Sequence, residues 1–120
     1  MNSSTPYQNK TMNNPLEWTS NEFFTFVLIH AAQADLEITD PERKYISNKH
    51  GEELCREMEA FYFELGEYER LEYILKCRSK YFATDLSKQE VLDEMKEMFH
   101  ADGDFSKLEK NLLLFFEKLL

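Results

Sequence analysis

The chain has 120 residues, room for one domain, and its 14 Lys and Arg against 23 Asp and Glu leave a net charge of −9. That balance points away from a nucleic-acid-binding surface, which needs clustered bases to meet phosphate. Three Gly and three Pro supply few turns for a β-sandwich or barrel, and 42% hydrophobic residues argue against a chain disordered throughout.

Residues 1–15 are rich in Asn, Ser and Thr and read as a flexible tail; residues 16–120 read as one helical domain. The first 15 residues lack the charged-then-apolar build-up of a secretory leader, so the cytoplasm is the expected compartment. The strongest apolar run, 23–34, is interrupted by Thr25, His30 and Gln33 and falls short of a membrane span. Thr19, Ser20 or Asn21 caps a first helix with Phe23, Phe26, Val27, His30 and Ala34 on one broad face, ending near Asp35. On that face His30 reads as a core histidine. Thr39-Asp40-Pro41-Glu42 then starts a second helix: Thr39 is the cap, Glu42 its reciprocal acceptor, and Pro41 suits a first turn. This helix carries Tyr45 and Ile46 towards His50 and Gly51.

Leu54, Met58, Phe61, Leu65, Tyr68, Leu71 and Leu75 keep a 3–4 spacing, which predicts two helices divided near Gly66 or one kinked helix. Eight glutamates lie between Glu52 and Glu72 and read mostly as a solvated face, with Glu52–Arg56 and Glu72–Lys76 as i,i+4 pairs. Cys55 and Cys77 lie in these helical stretches and are expected as reduced, buried thiols. Ser87-x-x-Glu90 predicts another capping box, before a helix burying Val91, Leu92, Met95, Met98 and Phe99. It ends at Ala101-Asp102-Gly103-Asp104. Ser106-x-x-Glu109 starts a last helix, apolar on nearly every side, around which the protein packs or through which it meets a partner. The predicted core is Phe23, Val27, Leu28, Leu54, Met58, Phe61, Leu75, Met95, Phe99, Leu112 and Phe116.

Asp35 and Asp102 stand 67 residues apart in matching surroundings. Ala34-Asp35-Leu36-Glu37-Ile38-Thr39 with Glu42 parallels Ala101-Asp102-Gly103-Asp104-Phe105-Ser106 with Glu109. The expected fold is therefore an all-α bundle of five to seven helices, from two helix–acidic loop–helix units related by an approximate twofold. Asp102, Asp104 and Ser106 place oxygens as at the start of a calcium loop, but Glu109 falls at position 8 and Gly103 at position 2, so this is no EF-hand. Two readings stay open. Thr39, Ser106, Glu42 and Glu109 close capping boxes while Asp35 and Asp102 stabilise turns; or the acids also hold a cation, which gives Glu37 and Asp104 a role that capping does not.

The twice-repeated Ala-Asp-x-acid-apolar-Thr/Ser-x-x-Glu pattern resembles the TerB-like family, named for tellurite resistance and similar to the first domain of a membrane-anchored DnaJ-like co-chaperone. The resemblance covers about residues 20–120. It implies two facing helical units and a divalent cation, Mg2+ or Ca2+, held by Asp35, Glu37, Asp102 and Asp104 with Glu42 and Glu109 beside them. The first loop departs from the second by carrying Leu36 where Gly103 stands, and a leucine resists the turn a glycine permits. The implied function is a non-enzymatic module in a stress-response setting. The alternative is a metal-free adaptor that docks an unidentified protein or forms a homo-oligomer through its apolar C-terminal helix. More remote is a likeness to MazG-like all-α nucleotide pyrophosphatases, from Glu69-x-x-Glu72 and Glu90-x-x-Asp93, a spacing that 17 Glu and 6 Asp also produce by chance.

Overall fold

A computed structural model describes residues 14–33, 38–101 and 110 of the chain. Five α-helices follow a short 3-10 turn at Pro15–Glu17: α1, Ser20–Ala32; α2, Asp40–His50; α3, Glu52–Glu64; α4, Glu67–Tyr81; and α5, Asp85–Ala101. The described residues form no strand, so the all-α bundle is as expected. The second acidic loop and the last predicted helix, with Leu112 and Phe116, lie outside the described residues, as does any twofold relation through them.

The local chemistry of each helix start decides its boundary. Thr19 Oγ1 accepts from the Glu22 amide at 3.1 Å, and the Glu22 carboxylate accepts from the Thr19 amide at 2.7 Å. Thr39 and Glu42 repeat the same reciprocal pair for α2, at 3.3 and 3.1 Å. Each box satisfies backbone donors that a helix N-terminus leaves open, so glutamates 1–2% exposed are tolerated in an apolar setting. Between α2 and α3 the chain turns at Gly51, whose φ of 108° lies where a side chain is strained. Leu65-Gly66 divides α3 from α4, as expected, but Gly66 has φ −73° and serves as the N-cap of α4. Its amide donates to the Glu69 carboxylate at 2.9 Å. The start of α5 differs from expectation. Thr84 Oγ1, rather than Ser87, accepts the first orphan amide, that of Ser87 at 3.1 Å, which places Ser87 inside the first turn.

The core is arranged around α1, which packs against α2, α3, α4 and α5. Phe23, Phe26, Val27, Leu28, Ile29 and Ala31 are fully buried, so nearly every side of this helix faces protein. Thr25 is buried too, and its hydroxyl donates back to the Asn21 carbonyl at 2.7 Å, leaving no polar cost. Met58 and Tyr62 reach α1 from α3, Ile74 and Cys77 belong to α4, and Val91, Leu92, Met95, Met98 and Phe99 form the buried stripe of α5. Pro15 and Trp18 join this core as well. The Tyr81 hydroxyl donates to the Pro15 carbonyl at 2.8 Å and also meets that of Trp18, while its ring stacks on Phe23 with centroids 4.6 Å apart. Pro15, assigned by sequence to the tail, is thus buried; residues 1–13 lie outside the described part.

Among the described residues of the predicted core, Leu75 departs most from burial. It is 37% exposed, and Phe61 is only partly buried. The 3–4 phase that turns inward along α3 turns outward after the break at Gly66, because α4 buries Ile74, Cys77 and Tyr81 instead. Leu75→Ala is therefore expected to cost under ~1 kcal/mol, whereas Phe26→Ala should cost about 3–5 kcal/mol, both read by urea denaturation. Equal losses would contradict this assignment of the α4 faces.

Candidate functional site

Among the six acids proposed as cation ligands, Glu42 alone is described, and it closes the α2 capping box from a buried position. Asp35, Glu37, Asp102, Asp104 and Glu109 lie outside the described residues. Among the described residues no three His, Cys, Asp or Glu side chains gather closely enough to hold a metal ion. Glu69 and Glu72 on α4 and Glu90 and Asp93 on α5 accordingly do not converge. Glu69 is engaged at Gly66, and Asp93 accepts from the Gln89 amide at 2.9 Å. Cys55 and Cys77 are free and buried, and burial pushes both thiols up, away from the thiolate that nucleophilic chemistry needs.

Three polar clusters join the helices. Asn21 of α1, His50 of α2 and Glu94 of α5 form the first: Glu94 lies 2.7 Å from His50 Nε2, and the Asn21 side-chain oxygen faces Nδ1. Both ring nitrogens face oxygen, so the cluster is fully satisfied when the ring carries both protons. Tyr45 extends it by donating to Glu97. The second is a two-bond fork from Arg43 of α2 to Glu59 of α3, at 3.0 and 2.8 Å, with Asp40 at 3.2 Å from the same guanidinium. The expected within-helix pairs Glu52–Arg56 and Glu72–Lys76 do not close; among the described residues Arg43–Asp40 pairs within α2 while Arg43–Glu59, Lys49–Glu97 and His50–Glu94 join different helices.

The third cluster centres on Tyr62. A 2.8 Å hydrogen bond joins its hydroxyl to His30 Nδ1, and the Arg70 guanidinium sits 4.3 Å above its ring while donating to the Tyr62 carbonyl at 3.0 Å. Burial, with Arg70 nearby, lowers the His30 pKa to about 4, and burial pushes the Tyr62 hydroxyl up to about 12. His30 is thus the core-type histidine that its apolar helix face suggested. Each cluster places its groups against one another across a helix interface, which makes them clamps.

The feature that sequence periodicity misassigned is the outer face of α4. Tyr68 is 74% exposed, and with Leu71 and Leu75 it lines an apolar groove of 370 Å3 flanked by Glu72, Tyr73 and Lys76. The i, i+3, i+7 spacing was visible in sequence. What was not visible is that α4 carries two apolar stripes and buries the other one.

Comparison with known protein families, characterised proteins and solved structures gives no match to this chain.

His30 generates a pH prediction. An ordinary histidine titrates near 6.5 and this one near 4 in the fold, so the unfolded chain binds the proton more tightly. This contribution is complete above about pH 6.5 and is lost as pH falls towards 4. Between pH 7 and 5 the wild type should lose about 1–2 kcal/mol more stability than His30→Gln, measured by urea denaturation at each pH. Parallel losses in the two proteins would show that His30 is not held neutral by the fold.

Proposed function

We propose that this chain is a non-catalytic helical docking module whose working surface is the outer face of α4. The observation that supports this reading is the stripe of exposed Tyr68 and Leu75 with half-buried Leu71 between them, lining an open groove. A contiguous exposed apolar strip with a charged rim is the ordinary form of a helix-docking site. Among the described residues α4 packs against α1 and the Pro15–Glu17 turn and touches α3 through Arg70 and Tyr73, with Tyr68 and Leu75 on its outer side. The clusters at His50, Arg43 and Tyr62 are occupied in holding helices together. A cation site at Asp35, Glu37, Asp102, Asp104, Glu42 and Glu109 is a separate proposal, tested by a magnesium or calcium titration monitored by thermal shift.

Photo-crosslinking tests the docking surface directly in cells making the full chain. A photoreactive side chain at position 75 should form adducts, and the same group at exposed position 53 on α3 should not. Leu71→Glu should abolish the adducts from position 75 while leaving the melting temperature within about 2 °C. Absence of any adduct from position 75, with itself or with another protein, would contradict the reading.

A further inference from the structure

We infer that the occupant of this face is a second copy of the same chain, docked as an antiparallel α4–α4 pair about a twofold axis; this rests on reading α4 as the docking surface. The chain as a whole carries −9, so most of its surface repels a copy of itself. Helix α3 illustrates this with five glutamates, Glu52, Glu53, Glu57, Glu59 and Glu64, against Arg56. Helix α4 is different. It carries Glu67, Glu69 and Glu72 in its first half and Lys76, Arg78 and Lys80 in its second, with Arg70 turned towards Tyr62. Helix α2 is similarly balanced, with Asp40 and Glu42 against Arg43, Lys44 and Lys49, but exposes no large apolar side chain.

The order of these charges along α4 specifies direction. A parallel copy would set Glu69 and Glu72 against their own equivalents, and Lys76 against Lys76. An antiparallel copy reverses the order. With the twofold level with Glu72 and Tyr73, Leu71 lies beside the partner's Leu75, and Tyr68 lies along the same seam. At 3.6 residues per turn Glu69, Glu72 and Lys76 share one flank of the stripe, and equivalent flanks face each other across such an axis. Glu69 and Glu72 then reach the partner's Lys76. The same pairing occurs twice, as an isologous interface requires. The stripe from Tyr68 to Leu75 is about two helical turns, roughly 10 Å at 1.5 Å per residue, so the contact is smaller than a standard interface and the dimer dissociates in the micromolar range.

Sedimentation equilibrium on the full chain over roughly 5–500 μM, a range bracketing a micromolar equilibrium, tests this inference. The wild type should move between one and two chain masses as concentration rises. Lys76→Glu and Glu72→Lys should each bind itself at least about tenfold more weakly, because each sets like charges together. An equal mixture of the two should recover the dimer, since Glu at 76 then meets Lys at 72 and the remaining Glu72 meets the remaining Lys76. Leu71→Glu should be monomeric with an unchanged circular dichroism spectrum. A dimer that survives both single charge reversals, or a mixture no tighter than its components, overturns the inference. A wild-type monomer that still cross-links another protein from position 75 overturns the second copy but leaves the docking surface standing; a monomer without adducts overturns both. A monomer whose melting temperature falls sharply with Leu71→Glu shows the stripe to be covered within one chain, and overturns both.

Discussion

A helix buried on nearly every side constrains everything packed around it. Helix α1 presents Phe23, Phe26, Val27, Leu28 and Ile29 around its circumference, and each must meet an apolar surface on some other element. Four helices supply those surfaces, and each spends one face doing so. The polar start of α1 is satisfied locally by the Thr19–Glu22 box, and the His50–Asn21 contact ties the same first turn to α2. Burying five large side chains at about 1.5–3 kcal/mol each gives α1 a larger hydrophobic share than any single clamp can match.

That arrangement explains which features were legible in sequence. Helix starts were readable where a short-range rule decides them: the Thr39–Glu42 box depends on residues three apart and on nothing distant, while at α1 three adjacent cap candidates left the choice of Thr19 to the structure. The break at Gly66 was readable for the same reason, although its glycine caps the following helix instead of ending the preceding one. The start of α5 was misread by three residues because Thr84 and Ser87 are both good caps, and the choice between them depends on where the chain leaves Tyr81. The facing of α4 was beyond local reading. Its two apolar stripes are close in hydrophobicity, and only the positions of α1 and the Pro15–Glu17 turn select Ile74, Cys77 and Tyr81 for burial. Pro15 and Trp18 were missed similarly, since their burial depends on a tyrosine more than 60 residues away.

The same asymmetry separates structural from functional chemistry. Polar groups at helix junctions are paired across elements: His50 with Glu94, Arg43 with Glu59, His30 with Tyr62. Such pairs fix which faces meet, because breaking one leaves its partner half-buried without a bond. Of the acids that motif reading selected in the described part, Glu42 and Glu69 are spent on capping. Tyr68 and Leu75 on the outer side of α4 belong to none of these pairs, and the helix that carries them is balanced in charge within an acidic chain.

If α1 is the axis on which the other helices depend, its backbone opens only when the whole domain unfolds, whereas α4, with more of its side chains exposed, opens more easily. Native-state hydrogen exchange measures both in one experiment. At a concentration well below that of self-association, the amides of Phe26, Val27, Leu28 and Ile29 should exchange with the free energy of global unfolding. Those of Leu71, Ile74 and Leu75 should exchange with a smaller one. Amides of α1 that exchange before those of α4, or with equal protection, would contradict the account.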